Sequence, residues 1–250
     1  MFTGSIPQCI GNVGRGLTVL DMHMNKLEGT IPTNISSMWL TTLKLHDNHL
    51  RVNIPSSLAT CVTLKVLDLG KNKLNASFPS WLGVLPDVIV LRLRSNKFHG
   101  KIPLSTTSSF PKLKMFDLSH NQFIGTLPPM LFQSFSSMME IDETTKHASY
   151  MGDGYYKDST TLVNKGIQVE LVKIIITWVT IDLSSNNFEG NIPNSPGILR
   201  LLRQLNFSNN IFINKIPISF QNLSVLESLD ISSNQLTRKI PTQLNMRIRG

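Results

Sequence analysis

A solenoid of the α/β type is the fold this sequence predicts, and three observations predict it. An asparagine recurs at Asn25, Asn48, Asn72, Asn96, Asn121, Asn186, Asn210 and Asn234, in steps of 23–25 residues with a single step of 65. A proline after Ile, Leu or Phe keeps the same clock at Pro7, Pro32, Pro55, Pro79, Pro103, Pro128, Pro193, Pro217 and Pro241. Apolar residues repeat with both, as Val88, Leu91, Leu93, Phe98 and Ile102 do around Asn96. A unit of this length cannot bury an apolar face alone, so copies must stack on one another.

The repeat reads L-x-x-L-x-L-x-x-N-x-L-x-G-x-I-P, a leucine-rich repeat, and each of its positions has a cause. Leu91 and Leu93 are two residues apart, so on a short strand both enter the core while Val90, Arg92 and Arg94 point to the opposite, concave face. At the turn that follows, a buried asparagine can serve backbone groups with two amide donors and a carbonyl acceptor, and stacked copies would form an asparagine ladder. Glycine two residues after the Leu/Phe permits positive φ, and the proline fixes the direction in which the chain leaves towards an irregular or short-helical convex side. Val52, Ala76, Asn214 and Arg238 replace that glycine. Only asparagine readily adopts the left-handed conformation, so repeats two, three and eight are expected to be distorted there.

The 65-residue step exceeds one repeat by about 41 residues, and register lapses after Ile141 and returns at Trp178. The chain therefore divides into 1–142, a partial repeat and five complete ones; 143–177, an inserted island; and 178–250, three repeats without a terminal cap. The island begins polar, from Thr144 to Thr161, and ends in an alternating and then apolar run, Val169 to Ile176, expected to be a strand leading into the next coil.

Composition narrows the function. The net charge of +8, from 24 Lys and Arg against 16 Asp and Glu, favours acidic partners. The basic residues are spread over repeats without interleaved aromatics, which argues against a nucleic-acid partner. Cys9 and Cys61 lie two repeats apart and read as buried free thiols rather than a disulfide. No stretch reaches the roughly 20 apolar residues that span a bilayer, and the first residues lack a secretory signal pattern.

With Gly-x-Ile-Pro after the Asn-x-Leu turn, the chain resembles the plant-specific class of extracellular leucine-rich repeats, a horseshoe or superhelix with a parallel concave sheet. The segments Phe78–Gly83, Leu91–Gly100, Tyr155–Ser159 and Lys165-Gly166 with Glu170–Ile174 resemble the membrane-proximal part of plant receptor-like proteins, the kinase-less class with an island before its last repeats. The resemblance implies a cell-surface ectodomain in defence or developmental signalling at the plasma membrane, with a peptide, glycan or protein ligand and a kinase-bearing co-receptor. The signal peptide, caps, membrane helix and cytoplasmic tail of that class are not in this sequence, so it reads as an internal segment of such a receptor. A secreted inhibitor of cell-wall-degrading enzymes and a gene fragment without a function of its own are the alternatives.

Candidate sites follow from register. Lys44, His46, Lys71, Arg92 and Arg94, with Thr42 and Asp68 among them, fall on one face of repeats two to four, where strands about 4.8 Å apart would merge their charges into one patch for an anion or acidic peptide; an ordinary solvated face is the other reading. Repeats six to eight would expose a polar, nearly uncharged face of Thr180, Asp182, Ser184, Gln204, Asn206, Ser208, Ser228, Asp230 and Ser232. Tyr155 and Tyr156 in the island are either aromatic contact anchors or packing residues. Asn34, Asn75, Asn206 and Asn222 sit in N-x-Ser sequons, which are glycan acceptors in an extracellular protein. The histidines are mostly a repeat or more apart, and no nucleophile–base arrangement, paired carboxylates, phosphate loop or completed metal shell emerges. The expectation is a binding module without enzyme chemistry, metal or cofactor.

Overall fold

The computed structural model describes residues 1–12, 16–103, 109–140, 160–164, 167–171 and 177–242. Eight three-residue strands form one parallel sheet in chain order: Val19–Asp21, Thr42–Lys44, Val66–Asp68, Val90–Arg92, Met115–Asp117, Thr180–Asp182, Gln204–Asn206 and Ser228–Asp230. Their central residues, Leu20, Leu43, Leu67, Leu91, Phe116, Ile181, Leu205 and Leu229, pair in unbroken register. The long sequence step leaves no gap, because Phe116 is the direct partner of Ile181.

The asparagine side chains hold the turns after these strands. Asn121 Oδ1 accepts the Phe98 N–H of the previous coil at 3.0 Å, while its Nδ2 donates to the carbonyls of Leu93, Leu118 and Ser119 at 3.0–3.2 Å. Asn48, Asn72, Asn96, Asn186, Asn210 and Asn234 each accept the equivalent N–H, and Asn25 accepts from Phe2. To aim these side chains inward, the preceding residue is left-handed in every coil: Met24, Asp47, Lys71, Ser95, His120, Ser185, Asn209 and Ser233 have φ of 49–58°. The ladder thus draws on backbone strain eight times over.

A second set of short parallel strands, which the repeat template did not suggest, runs beside the first. Thr3–Ser5, Lys26–Gly29, His49–Val52 and Lys73–Leu74 form one sheet; His99–Gly100, Gln122–Gly125, Asn187–Asn191, Ile211–Asn214 and Gln235–Leu236 form another. The glycine slot lies at or just beyond the end of these strands, and the expected distortion there is mostly absent. Val52, Asn214 and Arg238 adopt φ of 67–79°, close to the 77–84° of Gly4, Gly29, Gly100, Gly125 and Gly190. The hydrogen bonds to neighbouring coils impose the conformation and the side chain tolerates it. Ala76 alone departs: it has no positive φ, and its strand stops at Leu74. A β-branched residue in this region is strained by about 1–3 kcal/mol, offset in part by the backbone entropy of glycine. Val52→Gly should therefore raise stability by about 1 kcal/mol in urea unfolding, with an unchanged denaturant slope.

Short 3₁₀ segments such as Ser56–Thr60, Ser80–Val84, Ser195–Ile198 and Ile218–Asn222, with one α-helical turn at Pro129–Gln133, carry the chain back to the next strand. Between strands and helices lies one continuous apolar core, in which Leu27, Leu50 and Leu74 give way to a phenylalanine spine. Phe98, Phe123, Phe188 and Phe212 stack at successive centroid distances of 6.2, 6.0 and 6.4 Å, with planes within 12° of parallel.

Within 141–176, Thr160–Asn164 pairs antiparallel with Ile167–Leu171. The strand expected from Val169 to Ile176 is described from Ile167 to Leu171, as the second arm of a hairpin, while 172–176 lie outside the described residues. Its N–H and C=O groups find a partner strand two residues away in sequence.

Candidate functional site

The eight-stranded sheet arranges its concave side chains in columns, because every coil repeats the same register. The third strand position reads Asp21, Lys44, Asp68, Arg92, Asp117, Asp182, Asn206, Asp230, each beside the next. Over the first five coils the sign of the charge alternates. Arg92 Nη1 donates to Asp68 Oδ2 at 2.9 Å and Arg92 Nε stands 3.7 Å from Asp117 Oδ2, with Arg94 Nε at 3.9 Å on the same oxygen.

This corrects the expected positive patch. Lys44 and Arg92 are 1% and 5% exposed, since each is set between two aspartates of neighbouring strands and Arg92 spends its charge on them. His46 and Arg94 are half-buried, and Lys71 is the exposed member, 4.0 Å from Asp47. Reversing Arg92 to Glu would confront Asp68 and Asp117 and disturb folding before it reported on binding. Thr42 is also buried, as are Thr180, Ser184, Gln204 and Ser208 on the coils expected to expose them. Among these, Ser184 and Ser208 turn their hydroxyls onto Asp182 and Asn206 at 2.6 and 2.8 Å.

Two features of this face lay beyond the sequence reading. His23 and His46, one repeat apart, stack at 4.6 Å with planes 15° apart. In a solenoid one repeat of separation is contact, so sequence distance misled. His23 Nδ1 meets Asp21 at 2.5 Å and His46 Nδ1 lies 3.4 Å from Asp68; burial of His46 outweighs that aspartate and lowers its pKa. Further along, Val66, Val90 and Met115 form an apolar cluster of their own, at most 1% exposed, with Ile89 and Trp178 against it.

Where alternation fails, Asp117 and Asp182 become neighbours across the strands that bracket 141–176. Burial, then the charge of Asp117, pushes the Asp182 carboxyl up from 3.8 to about 6. Ser184 and Arg94 oppose the shift. The folded protein therefore binds a proton that the unfolded chain releases. The ionised carboxylate burdens the fold fully above pH 6, and the burden is relieved as pH falls towards 4. Asp182→Asn keeps an acceptor for Ser184. It should raise stability by about 1–3 kcal/mol at pH 7.5, a gain that disappears at pH 4; denaturant unfolding at the two pH values measures it.

Of the remaining candidates, Tyr155 and Tyr156 lie outside the described residues. Asn75 and Asn222 are exposed, Asn34 is half-buried, and Asn206 is half-buried on the concave sheet with its Oδ1 engaged by Ser208. Cys61 is buried, whereas Cys9, on the 3₁₀ turn Gln8–Asn12, is exposed, which corrects the expectation of two buried thiols. Among the described residues, no group of three His, Cys, Asp or Glu could hold a metal ion, and no helix is long and apolar enough to cross a membrane.

Comparison with known proteins agrees with this geometry. The Leucine Rich Repeat family matches residues 16–38, 39–61, 63–85, 112–134, 178–199, 201–223 and 225–246. The chain is 45% identical to Receptor-like protein 53 of Arabidopsis thaliana over 82% of its own length and 21% of that protein's. It is 44% identical to Receptor-like protein 43 of the same plant over 80% and 28% of the respective lengths. It thus spans between a fifth and a third of the length of these relatives. Among solved structures, the Arabidopsis receptor kinase HAESA, in complex with the peptide hormone IDA and the co-receptor SERK1, superposes with a TM-score of 0.75 at 26% identity, over 98% of this chain and 34% of that one.

Proposed function

The chain belongs to the leucine-rich-repeat family, with plant receptor-like proteins as its relatives, and from that premise we propose that it is a non-catalytic recognition segment of a plant cell-surface receptor. The observation that carries this reading is the similarity to receptor-like proteins at 43–45% identity across about four-fifths of the chain. The geometry supports it. A ladder and sheet that continue without a missing rung past 141–176 give a rigid concave surface whose binding costs little ordering entropy. In the reading we favour, residues 143–177 are the island, a peptide is the ligand, and a kinase-bearing co-receptor completes the assembly; the HAESA complex contains a peptide hormone and a co-receptor. Plasma-membrane placement and a role in defence or development belong to the same proposal, as do glycans at Asn75 and Asn222.

The concave face would read such a ligand by charge complementarity at single positions rather than through a general positive field. Arg94, Lys71 and the histidine pair offer donors, while the Asp117–Asp182 pair offers a place for a cationic group, whose charge would relieve the repulsion between the two carboxylates. Interferometry of the purified chain against the SERK1 ectodomain, with and without a peptide fraction from plant apoplastic fluid, tests the reading. Association that requires both chain and peptide supports it. Equal signals with and without the fraction, or none with either, would remove it.

A further inference from the structure

The glycine slot of the repeat is filled by larger residues in four coils, Val52 and Ala76 near one end and Asn214 and Arg238 near the other, and at the latter pair the consequence is a second site. Five coils carry glycine there, at φ of 77–84°. The last two described coils carry Asn214 and Arg238, which hold φ of 67° and 79° and so keep the strained conformation while adding a side chain. Val52 holds the same conformation at φ 73°, so strain by itself marks no site; the placement of the two side chains does. Here both line one groove of about 590 Å³ on the flank of the solenoid, at the strands Asn187–Asn191 and Ile211–Asn214, away from the eight-stranded sheet.

The chemistry of the groove is one-sided. Lys215 and Arg238 bring two positive charges, and among the described residues no acidic one lines it. Asn214 Nδ2 donates to Asn191 Oδ1 at 2.6 Å, which orients the amide pair so that Asn214 keeps a carbonyl acceptor and Asn191 an amide donor for a ligand. Pro193 and Pro217 contribute rigid C–H surface to the lining. Cations for a carboxylate, amides that both donate and accept for hydroxyls, and proline C–H surface for a ring face match a carboxylated sugar.

We propose that this flank groove binds an acidic saccharide, its carboxylates on Lys215 and Arg238 and its hydroxyls on the Asn191–Asn214 pair. The site is independent of the concave face, so either can exist without the other.

Glycine variants test the site without endangering the fold, since glycine is the residue the slot relieves. Isothermal titration of the full chain with a galacturonic-acid hexamer should give saturable binding that weakens at least tenfold in Arg238→Gly and in Asn214→Gly, and weakens as salt is raised. Thermal unfolding should show both variants at least as stable as the parent, and Arg94→Ala should bind the hexamer like the parent. A neutral glucose hexamer should not bind. Unchanged affinity in both glycine variants would overturn the proposal, as would equal binding of the neutral hexamer or tighter binding of a glutamate decapeptide.

Discussion

Replacing Asn186 by Ala should uncouple the two halves of the solenoid. This rung ties the coil of Leu183 to that of Leu118: its Oδ1 accepts the Phe123 N–H at 3.1 Å, and its Nδ2 serves the carbonyls of Leu118, Leu183 and Ser184 at 3.0–3.2 Å. Alanine leaves these groups buried with one partner fewer each, at about 1–3 kcal/mol for a stranded donor, so a loss of roughly 3–5 kcal/mol is expected for the whole rung. In a stack stabilised only between neighbours, such a loss falls on one interface. The single unfolding transition should split, with coils before Asn121 and after Asn186 melting apart. Asn187→Ala is the control: that side chain is exposed and its removal should change stability by less than about 0.5 kcal/mol.

Phe123→Ala should be comparably severe for a different reason. Phe123 is fully buried between Phe98 and Phe188, with Phe78 edge-on at 6.3 Å. Truncation removes the middle of a stacked row and opens a cavity, at about 3–5 kcal/mol. Phe123→Leu should cost less than half as much, because Leu27, Leu50 and Leu74 fill the same slot in earlier coils. A small effect of the alanine variant in urea unfolding would mean that neighbouring coils close the gap, contrary to a rigid stack.

The coil was legible in the sequence because its causes are local and repeated. Leu91 and Leu93 lie two apart, Asn96 follows at the turn, and Gly100 and Pro103 mark the exit, so strand, ladder and period could all be read from spacing. What was not legible depended on neighbours in the stack. Val52 and Arg238 look incompatible with a glycine slot until the hydrogen bonds of adjacent coils are seen to impose it. Lys44 and Arg92 look exposed when one strand is considered, and become buried when the aspartates on both sides are placed beside them. A signal was available: writing the concave residues as columns, rather than as a list of cations, displays the alternation from Asp21 to Asp117 and its failure at Asp182. The stacked histidines follow from the same rearrangement.

The central claim, recognition through the concave face, is tested most directly by hydroxyl-radical footprinting of the chain with and without the apoplastic peptide fraction. The expected result is protection of His23, Lys71 and Arg94, which border the charged column, with Trp39, Val84 and Met130, all exposed away from that face, unchanged. Protection of Trp39, Val84 or Met130 with the concave residues unaltered would contradict it.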